Sequence, residues 1–368
     1  MSSKYEDELG LIVMDNCKEL GNKIDQNIMQ RRSKKDSFII PTNLVRFNNG
    51  EGKAVIEDSV RDKDLYIISD IGNHSMTYKM YGYINHMGPD EHFMDIKRVI
   101  SAVRGQADRV TVVMPLLYES RQHRRKGRES LDCALALQEL QNLGVSTIVT
   151  FDVHDPNIQN AVPTSMSFEN FYPTNTILKE FIKNEEFDPE TVKFISPDTG
   201  AMDRAKYYAN MFQADVGMFH KRRDYSKIVD GKNPIVAHNY LGGNLEGETA
   251  IVVDDMIASG TSMLEVAVDL KKRGARKVFL ISTFSMFTNG LECFNKAFEE
   301  GLFEKLYSTN LTYVDKDALT KPWYEQIDCS NYASDIINTL NTSGSISELK
   351  NGKQKILTML ENKKNGEL

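Results

Sequence analysis

The sequence predicts an α/β fold with two domains, each built on a mainly parallel sheet flanked by helices. The first observation is a series of short β-branched, apolar runs typical of buried strands, at 66–69, 110–114, 147–151, 192–195, 250–253 and 277–282. The second is the helical spacing of the apolar residues between several of these runs, as in 131–143 and 263–270. Buried strands that alternate with amphipathic helices are typical of parallel sheets covered on both faces.

Chain length and a polar break predict where the domains lie. The chain has 368 residues, and a chain of this length usually forms about two domains. A polar, proline-containing stretch, Tyr172–Asn175, follows the first set of strands. We therefore expect an N-terminal domain over 1–172, a C-terminal domain over 173–349 and a charged tail over 350–368.

The charge and the cysteines exclude several classes of function. A net charge of −7 opposes a surface built to neutralise nucleic-acid phosphates. The 4 cysteines are far apart and form no C-x-x-C pair, so neither a zinc site nor a disulfide framework is expected. The charged N-terminal residues and the short apolar runs favour neither a signal peptide nor a membrane span. We expect a cytoplasmic protein with small-molecule partners, and neither nucleic acid nor membrane among them.

The strongest motif follows the strand predicted at 250–253. It leads directly into the helix predicted from 263 and consists of Asp254, Asp255, Met256, Ile257, Ala258, Ser259, Gly260, Thr261 and Ser262. The N–H groups of such a turn and of the helix N-terminus can bind a phosphate, and three hydroxyls add donors. The two carboxylates suit the vicinal hydroxyls of a sugar. The motif predicts a sugar-phosphate site; the alternative is a plain strand end followed by a helix cap.

Five further segments accompany this motif, and the sequence has no G-x-x-x-x-G-K-[ST] that would hold ATP in a P-loop. In chain order they are Val45–Glu51, Arg121–Arg125, Asp152–His154 with Ile158 and Gln159, Ser196–Gly200 with Arg204 and Ala205, and Lys221–Arg223. The motif at 254–262 resembles the phosphoribosyl-binding loop of the type I phosphoribosyltransferase fold. Together with the five segments, it makes the chain resemble the ribose-phosphate pyrophosphokinase family over about 38–349.

The resemblance implies an enzyme of nucleotide biosynthesis that transfers pyrophosphate from MgATP to the anomeric hydroxyl of ribose 5-phosphate. It implies that both domains are of phosphoribosyltransferase type, the first binding ATP and the second binding ribose 5-phosphate. It also implies a homo-oligomer, because in the family the adenine is held by a neighbouring subunit. In this chain the adenine-holding segment maps to Phe47, Asn49 and Glu51.

The other sites carry over position by position. The contacts to ATP phosphates and ribose map to Arg121, Gln122 and His123. The magnesium ligand and the ribose-phosphate contact map to His154 and Asp198, and magnesium is expected to arrive with the nucleotide because no cage of carboxylates is evident. The ribose 5-phosphate site maps to Asp254, Asp255, Ala258, Ser259, Gly260, Thr261 and Ser262. A mobile catalytic loop would begin with Lys221 and Arg223 and continue through the polar stretch at 224–233.

Four positions depart from the family pattern, and two alternative functions stay open. Asn49, His123 and Ala258 stand where the family has aspartate, and Thr199 stands where it has histidine. A segment at about 72–87 is inserted into the pattern. One alternative is a phosphoribosyltransferase that consumes phosphoribosyl pyrophosphate, and the other is a non-catalytic relative that regulates an active synthetase. Release of AMP from ATP distinguishes the main hypothesis from both.

Overall fold

The computed structural model describes residues 4–162, 164–223, 235–350 and 352–367; at 221–223, 235–238, 348 and 350 it describes the backbone alone. The strands are β1 (Leu9–Val13), β2 (Thr42–Arg46), β3 (Gly52–Ile56), β4 (Asp64–Ile68), β5 (Thr77–Met80), β6 (Tyr83–His86), β7 (Arg109–Val113), β8 (Thr147–Phe151), β9 (Ser167–Phe171), β10 (Val192–Ser196), β11 (Asp215–Arg223), β12 (Ile235–Leu241), β13 (Thr249–Ile257), β14 (Lys277–Ser285), β15 (Lys305–Thr309) and β16 (Tyr324–Ile327). The helices are α1 (Lys18–Arg32), α2 (Pro89–Val103), α3 (Asp132–Asn142), α4 (Thr174–Asn184), α5 (Met202–Phe212), α6 (Thr261–Lys272), α7 (Glu292–Glu299), α8 (Ser330–Asn341), α9 (Ser347–Lys350) and α10 (Lys353–Lys364).

The chain forms two compact units. The first comprises the residues up to Pro173 together with Asn310–Asp315 and Asp328–Asn351. The second comprises Thr174–Thr309, Lys316–Ile327 and the residues from Gly352 on. The returning segment at 310–315 lies inside the predicted C-terminal domain, and the one at 328–351 lies there except for its last two residues, which belong to the predicted tail. The predicted domain boundaries themselves stay a prediction.

The first unit is built on a five-stranded sheet in the order β1-β4-β7-β8-β9. All of its strand pairs are parallel. Every residue of β4 is buried, as expected for a strand with both faces covered. Two separate antiparallel hairpins, β2-β3 and β5-β6, lie outside this sheet. The predicted strands at 66–69, 110–114 and 147–151 correspond to β4, β7 and β8.

The second unit is built on a seven-stranded sheet in the order β12-β11-β10-β13-β14-β15-β16. Only the β11–β12 pair is antiparallel among its described pairs. Aromatic side chains fill part of its core, where the Phe181 ring packs edge-on against Phe279 and Tyr307. The α/β class with mainly parallel sheets, predicted from the sequence, is confirmed in both units.

The C-terminal residues contribute a packed helix to the second unit. Helix α10 contacts α4 and α5 and buries Ile356 and Leu360. Its Lys363 donates a hydrogen bond to the backbone carbonyl of Ile182, 2.8 Å away. The predicted charged tail therefore includes an amphipathic element that covers the second unit. Among the residues that the structure describes, no helix combines the length and apolar character needed to cross a membrane.

Candidate active site

The motif at 254–262 lies at the carboxyl end of β13, which is the central strand of the second unit's sheet. Helix α6 begins at Thr261, and Gly260 is its N-cap with φ of +81°. This is a left-handed conformation that favours glycine, and a Cβ at this position would overlap the buried Phe294 ring. The glycine therefore allows the chain to turn sharply from the strand into the helix.

The turn gathers hydrogen-bond donors at the start of α6. Helix α6 begins with Thr261 and Ser262, which are both exposed, and their backbone N–H groups belong to the first turn of the helix. The hydroxyls of Ser259 and Thr261 are 3.2 Å apart. Together with the positive end of the helix dipole, these groups form an arrangement that suits an anion.

The two acids of the motif share an arginine that the sequence analysis did not include among the site residues. The Asp255 side chain is 2% accessible, the Asp254 side chain is 27% accessible, and Nη1 of Arg204 lies 3.9 Å and 3.8 Å from their respective Oδ1 atoms. Burial and the like charge of Asp255 raise the pKa of Asp254 well above its usual value, while Arg204 opposes the shift. Hydroxyl groups that donate to these carboxylates would favour their charged form.

Asp198 follows β10, the strand that pairs with β13. One of its carboxylate oxygens, Oδ1, accepts hydrogen bonds from the N–H groups of Gly200 and Ala201, at 2.8 Å and 3.1 Å. Its charge also contributes to raising the pKa of Asp254, after burial and Asp255. The structure thus brings Asp198 and the diacid to the same edge of the sheet, as expected for neighbouring parallel strands.

Lys221 and Arg223 lie at the end of β11, where their backbone pairs with His238 and Ile235 of β12. The register is irregular between Arg222 and Arg223. The side chains of Lys221 and Arg223 lie outside the part that the structure describes, and so does the predicted mobile loop at 224–233.

In the first unit, the basic segment follows β7. Arg121 and Gln122 are exposed, and a hydrogen bond of 2.8 Å from the Gln122 N–H to the Glu119 carbonyl closes the turn that presents them. Glu119 itself has φ of +53°. The segment is an exposed turn at the carboxyl end of a parallel strand, which is where such sheets bind ligands.

His123 lies between two acceptors, one of them an acid from the next strand connection. Its Nε2 is 3.1 Å from Oδ2 of Asp155, and its Nδ1 is 3.3 Å from the carbonyl of Ser120. The ring centroids of His123 and His154 are 5.6 Å apart. The pKa of Asp155 is lowered from its usual value. Burial acts to raise it, but hydrogen bonds from Asn157 and the charges of His123 and Arg124 lower it by more. Asp155 therefore supplies a carboxylate beside the position where the family has one.

Phe47, Asn49 and Glu51 form the turn of the β2–β3 hairpin. Phe47 is 46% exposed, so its ring is accessible to a ligand. The Asn49 amide donates to Oε2 of Glu51 at 2.9 Å, and the Glu51 N–H donates to Oδ1 of Asn49 at 3.1 Å. Asparagine thus orients the Glu51 side chain by a hydrogen bond that an aspartate could not donate.

A mainly parallel sheet whose central strand ends in two acids, followed by a glycine turn and a helix N-terminus, defines a phosphoribosyltransferase-type unit. Residues 174–287 match the phosphoribosyl transferase domain, and residues 9–144 match the N-terminal domain of ribose phosphate pyrophosphokinase. The chain belongs to the ribose-phosphate pyrophosphokinase family, and the predicted family and enzyme class are confirmed.

Similar proteins share most of their length with this chain. Ribose-phosphate pyrophosphokinase A of Dictyostelium discoideum is 26% identical over 306 residues, which are 83% of this chain and 88% of the relative. Ribose-phosphate pyrophosphokinase 2 of Schizosaccharomyces pombe is 28% identical over 309 residues, with the same two coverages. The crystal structure of phosphoribosylpyrophosphate synthetase from Mycobacterium smegmatis has the same fold, with a TM-score of 0.74 at 19% identity, and the match covers 92% of this chain and 100% of that one.

Proposed function

We propose that this chain transfers the pyrophosphate group of MgATP to the anomeric hydroxyl of ribose 5-phosphate, giving phosphoribosyl pyrophosphate and AMP. The observation that carries the proposal is the turn at 254–262, where two adjacent acids at the end of one central strand precede the N-terminus of α6. The family match over 9–144 favours this function over that of a phosphoribosyltransferase, because that match is to the N-terminal domain of the pyrophosphokinase.

The second unit would bind ribose 5-phosphate. The phosphate would accept hydrogen bonds from the N–H groups at the start of α6 and from the hydroxyls of Ser259, Thr261 and Ser262. The vicinal hydroxyls of the ribose would donate to Asp254 and Asp255. The grouping of the two acids supports this assignment, because Nη1 of Arg204 lies 3.8 Å from Oδ1 of Asp254 and 3.9 Å from Oδ1 of Asp255, so the two carboxylates present their acceptor oxygens together.

The first unit would bind ATP. Arg121, Gln122 and His123 would contact the phosphates and ribose, and the exposure of Arg121 and Gln122 leaves their side chains accessible for this role. The exposed Phe47 ring, with Asn49 and Glu51, would hold the adenine of a neighbouring subunit in a homo-oligomer. We place this assembly in the cytoplasm, and we propose domains over 1–172 for ATP and 173–349 for ribose 5-phosphate.

The transfer is a displacement at the β-phosphorus of ATP. The anomeric oxygen forms a bond to the β-phosphorus, and the bond from that phosphorus to the oxygen bridging to the α-phosphorus breaks. AMP leaves with the bridging oxygen, and the hydroxyl proton passes to solvent. Such a transfer requires positioning and charge neutralisation, which we assign to Arg121, Lys221 and Arg223. No covalent enzyme intermediate is needed.

Magnesium bound to ATP would neutralise charge on the transferred phosphates. Asp198 fits such an ion, because it offers carboxylate oxygen and its orientation is fixed by two backbone hydrogen bonds. His154 is exposed but offers nitrogen, which suits magnesium less well than oxygen does. No group of three or more His, Cys, Asp or Glu side chains within the described residues is arranged to hold a metal ion.

The proposal is tested with purified protein, ribose 5-phosphate, magnesium and ATP. We expect AMP and phosphoribosyl pyrophosphate to form in equal amounts. The Asp255→Asn variant should lose most of this activity, whereas Asp269→Asn, on the far turns of α6 in an ion pair with Arg273, should keep it. Formation of ADP would contradict the proposal. Use of phosphoribosyl pyrophosphate with a base would favour a phosphoribosyltransferase, and no reaction would favour a regulatory relative.

A further inference from the structure

The inserted segment at about 72–87 forms a complete β-hairpin in the first unit. Strands β5 and β6 pair in antiparallel register from Thr77–His86 to Met80–Tyr83. Tyr81 and Gly82 have φ of +49° and +85°, so the hairpin closes with a two-residue turn. Beyond its base, the Met87 N–H donates to the Met76 carbonyl at 2.9 Å, so the two ends of the insertion are adjacent.

The hairpin contacts the turn that carries Phe47, Asn49 and Glu51. The Tyr81 N–H donates to the carbonyl of Asn48 at 2.9 Å. A Cβ added to Gly50 would lie 2.7 Å from Sδ of Met80, so Met80 packs directly over this turn. The guanidinium carbon of Arg46, at the end of β2, is 5.1 Å from the centroid of the Tyr78 ring.

The β2–β3 sheet has little of its own to hold this turn in place. Each residue of β2 and β3 is half-buried or exposed, and a two-stranded sheet alone is marginally stable in water. One support is helix α2, where Asp95 forms a salt bridge of 2.6 Å with Arg46. The β5–β6 hairpin supplies the second support, directly at the turn. Removing it would leave 47–51 with more conformations to lose when a ligand binds.

We propose that the hairpin at 77–86 is a positioning element for nucleotide binding, which fixes the turn at 47–51 in the conformation that contacts the adenine. The proposal rests on the proposed role of Phe47 and Glu51. Ordering the turn in advance lowers the entropic cost of binding, so the hairpin acts on the affinity for ATP. It does not act on ribose 5-phosphate, whose proposed contacts lie on β13 and α6.

The test compares hairpin variants by steady-state kinetics. In the first variant, 77–86 is replaced by Asn-Gly, which joins the adjacent ends at Met76 and Met87. In the second, Tyr78→Leu removes the contact with Arg46 and keeps an apolar side chain. The matched control is Ile84→Ser, on the same hairpin with a side chain 69% exposed. We expect the KM for ATP to rise about tenfold in the first variant and about threefold in the second. The KM for ribose 5-phosphate should stay within about twofold of the unmodified protein in both variants. In the control, both KM values should stay within about twofold.

Two results would overturn the proposal: an unchanged KM for ATP in both hairpin variants, or equal increases in both KM values. If the shortened variant does not fold, Tyr78→Leu alone decides the matter. The quantity compared is then its change in the KM for ATP against its change in the KM for ribose 5-phosphate. If the unmodified protein makes no phosphoribosyl pyrophosphate, the proposed function fails. Calorimetric titration with MgATP alone then tests the hairpin, and weaker binding by Tyr78→Leu than by Ile84→Ser supports it. Equal binding by these two variants, or no binding by the unmodified protein, overturns it.

Discussion

In the second unit the residues proposed to bind ribose 5-phosphate form one contiguous segment, whereas in the first unit the residues proposed to bind ATP come from separate segments. Asp254–Ser262 is a single strand end, turn and helix start. The proposed ATP residues follow β7 and form the β2–β3 turn. A contiguous site is fixed mainly by local backbone geometry, and an assembled site depends on packing between distant segments. Substitutions at the site in the second unit should therefore affect binding or catalysis directly. Substitutions in the first unit should affect ATP binding through the residues that contact the substituted side chain.

The largest effect is expected for Lys221, at the end of β11 in the second unit. If its charge acts in the transition state, Lys221→Ala should lower kcat by about a hundredfold, near 3 kcal/mol, with little change in either KM. The control is Lys272→Ala, an exposed lysine at the end of α6. Steady-state kinetics decide the matter, and an unchanged kcat would remove Lys221 from the catalytic residues.

Gly260→Ala tests whether local geometry fixes the contiguous site. The added Cβ takes a left-handed φ of +81° and overlaps Phe294, so we expect a loss of about 3 kcal/mol in the free energy of unfolding. Gly247→Ala is the control, since its φ is +76° and no atom lies within 4 Å of an added Cβ. Its expected loss is about 1 kcal/mol in urea denaturation. Equal losses would show that the contact with Phe294 contributes nothing.

The contiguous segment is also the one whose strand, turn and helix the sequence predicted best. Strand, diacid, turn and helix follow each other along the chain, so local periodicity and residue type were sufficient. Arg204 accompanied one of the five segments but was given no role in the site, because its proximity to Asp254 and Asp255 comes from the packing of α5 beside β13. The sequence signal that could have identified its role is a basic residue in α5, the helix that follows β10, since β10 pairs with β13.

The first unit was predicted less completely, for a physical reason. The strands at 66–69, 110–114 and 147–151 were recognisable because they are buried on both faces. The contact between His123 and Asp155 joins the connections after two adjacent strands, and no local pattern encodes it. The role of the insertion was likewise hidden, because its hairpin meets the turn at 47–51 only in three dimensions. The segments at 310–315 and 328–351 return to the first unit through tertiary contacts alone.

Asp70 is a buried acid of the first unit whose pKa, like that of Asp254, lies above its usual value, and it predicts a pH-dependent stability. Asp70 accepts hydrogen bonds from the Tyr313 N–H at 2.6 Å and from Thr312 and Gly72, yet burial raises its pKa to about 6. Because the pKa in the folded state exceeds that in the unfolded state, the associated stability is fully present below about pH 4 and is lost as pH rises through 6. The protein should therefore lose on the order of 2 kcal/mol between pH 4 and 8 relative to Asp70→Asn.

Urea denaturation of both proteins at several pH values measures this difference. The quantity compared is the free energy of unfolding of the unmodified protein minus that of the variant, so titrations elsewhere in the chain cancel. A difference that stays constant with pH would show that folding leaves the pKa of Asp70 unchanged, and a difference that grows as pH rises would show that folding lowers it; either result would contradict the prediction.

The pair formed by His123 and Asp155 tests whether the assembled site acts through partners. His123→Asp places two carboxylates side by side, so we expect the KM for ATP to rise about tenfold. Asp155→Asn removes the charge but keeps an acceptor for the Asn157 N–H, and it should also weaken ATP binding. The double variant should recover to within about threefold of the unmodified protein, because one carboxylate again lies beside the basic segment. Additive losses would contradict the coupling.

The smallest effect is expected at Asn49, whose hydrogen bond orients Glu51. Asn49→Asp keeps the acceptor for the Glu51 N–H, but it removes the donor to the Glu51 carboxylate and places two negative charges at that contact. Both side chains are exposed, so the repulsion is weak, and we expect the KM for ATP to rise only about threefold, below 1 kcal/mol. The rise should shrink at about 0.5 M salt, where exposed charges are screened. A fall in the KM for ATP would instead mean that a carboxylate at position 49 contacts the nucleotide directly, and the positioning of Glu51 by Asn49 would be wrong.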